Sequence, residues 1–123
     1  MLRQYLILAV GAVAAAGLPA VARAGDAAAG QHDFSRCVAC HAAQPGKNGI
    51  GPSLAGIVGR ASGSAPDYSY SPAMKTAHVT WDEATLDKFL ANPQSVVRGT
   101  KMFVNVPDPA ARGNVIAYLA TLK

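Results

Sequence analysis

Cys37-Val38-Ala39-Cys40-His41 decides how this chain is read, because it contains the only two cysteines in the sequence. The C-x-x-C-H spacing is the attachment pattern of a c-type haem. Two thiols about one helical turn apart can each bond one vinyl group on the same porphyrin edge. The next residue, His41, then lies under the iron, where its imidazole nitrogen can bind the metal. Other uses of the two thiols fit the sequence less well. A thiol–disulfide oxidoreductase built on Cys37 and Cys40 needs a βαβ context, and an Ala-rich helical stretch precedes Cys37 instead. Structural zinc needs four Cys or His ligands, and the only other histidines, His32 and His78, have no paired-ligand spacing.

Upstream, the chain reads as an export leader. Met1-Leu2-Arg3-Gln4 is a short basic start, residues 5–22 are apolar, and Ala22-Arg23-Ala24 has the small-x-small form of a cleavage site. The expected organisation is a cleaved leader at 1–24 and one monohaem domain at 25–123. An uncleaved membrane anchor is the alternative, since the apolar run is near the lower length limit for spanning. Export agrees with the motif, because covalent attachment needs reduced thiols presented outside the cytoplasm. The implied compartment is a bacterial periplasm, with no stable membrane insertion once the leader is cut.

Removing residues 1–24 from the 123 leaves 99. A domain of that size has a marginal core of its own, so a buried porphyrin held by two thioethers is expected to complete it. Arg3 and Arg23 supply two of the four net positive charges, leaving +2 on residues 25–123. No Lys/Arg cluster with interleaved aromatics appears, and nucleic acid is not an expected partner.

Downstream, local signals predict helices and one long loop. Asp26 is the candidate N-cap of a helix that places Gly30, Phe34 and Cys37 on one face and delivers the C-x-x-C-H run. Residues 42–67 are rich in Gly, Pro, Asn and Ser and read as loop; such length implies that the segment wraps something. Ser71-Pro72 starts a short helix carrying Met74. Thr80-Trp81-Asp82-Glu83 reads as a capping box for a helix with Leu86, Phe89 and Leu90 on its apolar face. Asn92-Pro93 ends that helix. Asp108-Pro109 begins the last one, with Val115, Tyr118, Leu119 and Leu122 as its buried stripe. The predicted class is all-α: about four helices with long loops around one haem. Met74, Met102, His32 and His78 remain as candidates for the iron's second axial position.

These stretches together resemble class I c-type cytochromes, the family of mitochondrial cytochrome c and bacterial cytochrome c2. The likeness covers nearly all of residues 25–123. Gly30, Phe34 and the Cys37-x-x-Cys40-His41 run match the family's first helix, and Gly51-Pro52-Ser53-Leu54-x-Gly56-x-x-Gly59-Arg60 its proline loop. Tyr68-Ser69-Tyr70-Ser71-x-Ala73-x-Lys75, Trp81, Asn92-Pro93, Gly99-Thr100-Lys101-Met102 and Val115-Ile116-Ala117-Tyr118-Leu119 follow in order. The resemblance implies that His41 and Met102 are the axial ligands and that the Pro52 carbonyl accepts the proton on the far nitrogen of His41. It implies that Arg60, Tyr70 and Trp81 hold the haem propionates, and that Gly30 and Phe34 cross Val115 and Tyr118. A pair of axial ligands leaves no open site, and thioether sulfur favours the ferrous iron. The implied activity is one-electron transfer by a periplasmic monomer, without enzymatic turnover. Its transient partners would be redox proteins: quinol-cytochrome c reductase, a terminal oxidase, a reaction centre or a periplasmic dehydrogenase. The alternative is a haem protein that binds gas ligands or peroxide after losing the methionine.

Several positions depart from the family. Phe89 replaces a usual Tyr, and Met74 a common Asn, which implies a drier distal side. Arg98 stands where Pro is typical and can add charge near the haem edge. Gln94 and Ser95 stand where lysines often follow Asn-Pro. A weakened basic ring is therefore expected, with Lys47, Lys101 and Arg98 left to steer partners.

Overall fold

The computed structural model describes residues 11–12 and 25–123; the leader reading of residues 1–24 lies outside them apart from that dipeptide. Five α-helices occur among the described residues: α1 (Ala27–Asp33), α2 (Pro72–Lys75), α3 (Glu83–Ala91), α4 (Pro93–Val96) and α5 (Pro109–Leu119). No strand is present among them; one isolated bridge pairs Ala61 with Thr80. None of these helices is long and apolar enough to cross a membrane.

Most helix starts follow local chemistry. The Asp26 carboxylate accepts from the Ala28 amide at 2.9 Å, Ser71 Oγ from the Met74 amide at 3.1 Å, and Asp108 from the Ala110 amide at 3.2 Å. Each satisfies an amide that lacks an intrahelical partner. Pro72, Pro93 and Pro109 occupy first-turn positions, where a missing N–H costs nothing.

Two local expectations are corrected. The first helix does not run unbroken to Cys37: it tightens at Phe34–Arg36 into a 3₁₀ turn, and the cysteines follow in turns. Thr80 does not cap α3. The Asp82 carboxylate does, accepting from the Thr85 amide at 2.7 Å. Thr80 is instead paired with Ala61 of the same chain: Trp81 N–H donates to the Arg60 carbonyl at 2.9 Å, and Ser62 N–H to the Val79 carbonyl at 2.8 Å. Asn92-Pro93 ends α3 as expected, and α4 begins at once from the same pair.

α1 lies across α5, the most extensive helix–helix contact among the described residues. Gly30 makes that crossing possible. A Cβ there would drive into the Asn114 carbonyl of α5 and meet Tyr118 Cβ at 3.0 Å. The Phe34 and Tyr118 rings meet beside it, 5.2 Å apart and tilted by 56°. We expect Gly30→Ala to destabilise the protein by about 2 kcal/mol in denaturant unfolding, because the obstructing atoms are backbone and cannot rotate away. A variant of wild-type stability would mean that the helices separate freely.

The buried hydrophobic core comprises Phe34, Ile57, Ala65, Trp81, Leu86, Phe89, Leu90, Val97, Val106, Val115, Ile116 and Leu119. Ile116 is buried beside Val115 and Leu119, whereas Tyr118 and Leu122 of the expected stripe are only half-buried.

Candidate haem site

Eight of the twelve core side chains, namely Phe34, Ile57, Trp81, Leu86, Phe89, Leu90, Val115 and Leu119, also line one open cavity. The core is therefore built around a space rather than closed on itself, unlike the close-packed interior of an ordinary domain. Cys37, Cys40, His41, Pro52, Arg60, Tyr70, Trp81 and Met102, all singled out in the sequence, line this same cavity, as do Phe89 and Met74. His32 and His78 are exposed and do not reach it.

The 3₁₀ turn and the turn after it set the first three residues. Cys37 N–H bonds the Phe34 carbonyl at 2.8 Å, and the Cys40 and His41 amides bond the Cys37 carbonyl at 3.1 and 2.9 Å. These bonds bring Cys37, Cys40 and His41 to one side of the cavity wall. Both thiols are free and half-buried. Burial pushes the Cys37 thiol above its ordinary pKa, with the Arg36 charge working against it.

His41 is held from the loop that follows. Its Nδ1 lies 2.7 Å from the Pro52 carbonyl oxygen. A carbonyl only accepts, so Nδ1 carries the proton and Nε2 keeps its lone pair. Burial lowers the imidazole pKa, the Pro52 bond opposes that, and Arg60 adds to the lowering. The ring is thus biased toward the neutral form that a metal requires. Gly51 supplies the room: a Cβ there would press into the His41 ring, 2.7 Å from Nδ1.

Arg60 holds the proline loop. Its two terminal nitrogens donate to the Ala55 and Ser53 carbonyls, each at 3.0 Å. Its Nε is buried and has no hydrogen-bond partner among the described residues. A buried orphan donor on a guanidinium is costly, and a carboxylate edge entering the cavity would satisfy it. The Tyr70 hydroxyl accepts from the Ala65 amide at 2.9 Å, which leaves its own proton to donate. Trp81 is buried against Phe89, with ring centroids 4.8 Å apart. An apolar cavity with thiols at one wall, an oriented imidazole, a thioether and a buried orphan donor fits a tetrapyrrole bearing carboxylates.

Two groups of residues depart from the sequence reading. Arg98 and Lys47 are exposed and do not line the cavity, whereas Lys101 does and bonds the Ser69 carbonyl at 3.0 Å. The steering trio is therefore not gathered at the mouth. Sequence reasoning also missed the mouth's apolar rim. Ile50, Phe103 and Val104 line the cavity and are yet 77 %, 78 % and 57 % exposed. Phe103-Val104, adjacent apolar residues between a Lys-Met pair and Asn105, was the available signal.

The profile of the family described as cytochrome c matches residues 27–123. Cytochrome c2 of Rhodomicrobium vannielii is 51% identical over 100 residues, covering 80% of each chain. Cytochrome c2 of Rhodoblastus acidophilus is 49% identical over 102 residues, covering 81% of this chain and 95% of that one. Among solved structures, cytochrome cH of Methylobacterium extorquens superposes with a TM-score of 0.74 at 47% identity, covering 79% of this chain and 99% of that one. Cytochrome c2 of Rhodospirillum centenum gives a TM-score of 0.76 at 32% identity, covering 80% and 98%. With this cavity, these relatives and the same small all-α fold, the chain belongs to the cytochrome c family, monohaem electron carriers, and holds one haem c attached covalently through Cys37 and Cys40.

Proposed function

We propose that this chain is an exported, periplasmic carrier in which His41 and Met102 would hold the haem iron. Haem supplies a one-electron couple between ferric and ferrous iron. The protein's own work is to fix ligands, exclude water and present an edge. Pro52 fixes the His41 tautomer, so that Nε2 keeps the lone pair a metal would take up. Met102 contributes a soft sulfur that favours the reduced state. Arg60 Nε, the Tyr70 hydroxyl and the Trp81 indole are the donors for the propionates. Phe89 and Met74 add apolar surface to the same cavity that Met102 lines.

The observation that carries this reading is the meeting, in one apolar cavity, of both cysteines, an imidazole locked at Nδ1, and Met102. Absorption spectra of the purified protein in both oxidation states test it, since they report haem type and axial ligation together. A six-coordinate low-spin spectrum with a sulfur-to-iron charge-transfer band is expected. Ready binding of carbon monoxide by the ferrous protein at neutral pH would instead favour the ligand-binding alternative. Mass spectrometry of exported material is expected to give a chain beginning at Gly25 with one added haem; retention of residues 1–24 would support the anchor.

Partners are redox proteins that dock over the cavity mouth. The rim formed by Ile50, Phe103 and Val104 is apolar and exposed, while Lys101 is the steering cation beside it. Contact there depends more on desolvating apolar surface than on long-range attraction. Second-order rates with an isolated redox partner should fall by no more than about threefold between low and physiological ionic strength. A steep fall would place a larger basic field at the mouth.

A further inference from the structure

Gln94 is half-buried in α4 and belongs to none of the groups that line the cavity. Its side-chain amide makes two hydrogen bonds to one short stretch of backbone. Oε1 accepts from the Gly99 N–H at 2.9 Å, and Nε2 donates to the Thr100 carbonyl at 2.9 Å. A primary amide carries acceptor and donors on one rigid plane, so the pair fixes both position and orientation of that segment. Gly99 turns the chain there with φ of +95°, a conformation that side-chain-bearing residues avoid. Thr100 follows, only 4 % exposed, and its hydroxyl accepts from the Met102 N–H at 3.3 Å.

The segment from Val97 to Met102 belongs to no helix or strand. Within it, the Thr100 N–H bonds the Val97 carbonyl at 3.0 Å. The far end of the loop is anchored separately. Val106 N–H donates to the Leu90 carbonyl at 2.7 Å, and Arg112 donates to the Val106 and Pro107 carbonyls at 3.1 and 2.9 Å while pairing with Asp87 at 2.8 Å. Met102 thus sits between two anchors, and the nearer one is the Gln94 side chain.

We infer that Gln94 is a positioning residue for Met102: its amide is a two-point clip that keeps the thioether in the cavity and slows its exchange with outside ligands. The inference rests on the proposed role of Met102 as ligand. Gln94→Leu keeps much of the side-chain volume and removes both bonds. Gln94→Glu keeps the acceptor for Gly99 but sets a second oxygen against the Thr100 carbonyl. Ser95→Ala serves as the control, because its hydroxyl bonds only the Asn92 carbonyl, at 2.7 Å, within the same turn.

The test uses ferric holoprotein well below its unfolding temperature, with imidazole as the competing ligand. Three quantities are followed: the rate of imidazole capture, the sulfur-to-iron charge-transfer band, and hydrogen exchange at the Gly99 amide. In Gln94→Leu, imidazole capture and Gly99 exchange should each accelerate by about tenfold, as expected for losing two net hydrogen bonds. Gln94→Glu should accelerate both by less or by the same factor, and Ser95→Ala should leave both unchanged. Wild-type capture and wild-type Gly99 protection in both Gln94 variants would overturn the inference. So would a lowered melting temperature with unchanged capture, which marks plain packing. Met102→Ala separates the two readings. A surviving sulfur band in that variant removes Met102 as ligand, whereas faster Gly99 exchange in Gln94→Leu reports the clip independently.

Discussion

Met102→Ala should lose the sulfur-to-iron charge-transfer band, bind carbon monoxide when reduced, and drop in reduction potential by a sizeable fraction of the roughly 0.8 V that axial ligands span. The shift is downward because a thioether is a soft donor that stabilises ferrous iron, and water or an empty position in its place does not. The cavity that holds Met102 is apolar, so no neighbouring side chain offers a strong substitute. The exception is Met74, the other thioether lining it, which sits in α2 behind the Ser71 cap. A Met102→Ala protein that retains its sulfur band would transfer the ligand role to Met74, and the double variant with Met74→Ala would then lose it. Potentiometry and the ferric absorption spectrum decide the matter. Electron-transfer rates alone do not, because they also fall when docking changes.

Replacing both Cys37 and Cys40 with alanine should have the largest effect of all: loss of cooperative folding. The structural reason is the overlap between core and cavity. Phe34, Ile57, Trp81, Leu86, Phe89, Leu90, Val115 and Leu119 are buried, yet each also faces the space meant for the porphyrin. Without the cofactor those faces must be wet or must collapse onto one another. Every 100 Å² of apolar surface left in water forfeits roughly 2.5 kcal/mol, and a domain of this size has only about 5–15 kcal/mol in total. Thermal melts followed by near-UV and far-UV circular dichroism should show no sharp transition in the double variant, and helix content should fall. A sharp, cooperative melt would mean that the polypeptide packs a core unaided. The single variants should keep one thioether each and fall between the extremes, since one tether still holds the tetrapyrrole in place.

Much of this protein was settled along the chain itself. Cys37-Val38-Ala39-Cys40-His41 named the cofactor, because thiol spacing and the adjacent imidazole are matters of covalent reach. Asp26, Ser71-Pro72 and Asp108-Pro109 placed three helix starts, because capping uses atoms only two or three residues away. Leu86, Phe89 and Leu90 marked a buried face by period alone. What escaped was decided by partners far away in sequence. Thr80 looked like a cap, but its segment is paired with that of Arg60 and Ser62, and the helix begins at Asp82 instead. The resemblance assigns Arg60 to the propionates without saying which atoms are available; in the fold its terminal nitrogens are taken by the Ser53 and Ala55 carbonyls and only Nε is left. Gln94 reads as a lost lysine and becomes a clip, because the Gly99 turn carries the backbone back over α4. Local chemistry fixes covalent reach and capping within a turn or so, whereas a hydrogen bond across a loop exists only once the loop has closed, and its closure depends on every contact that holds the two ends together.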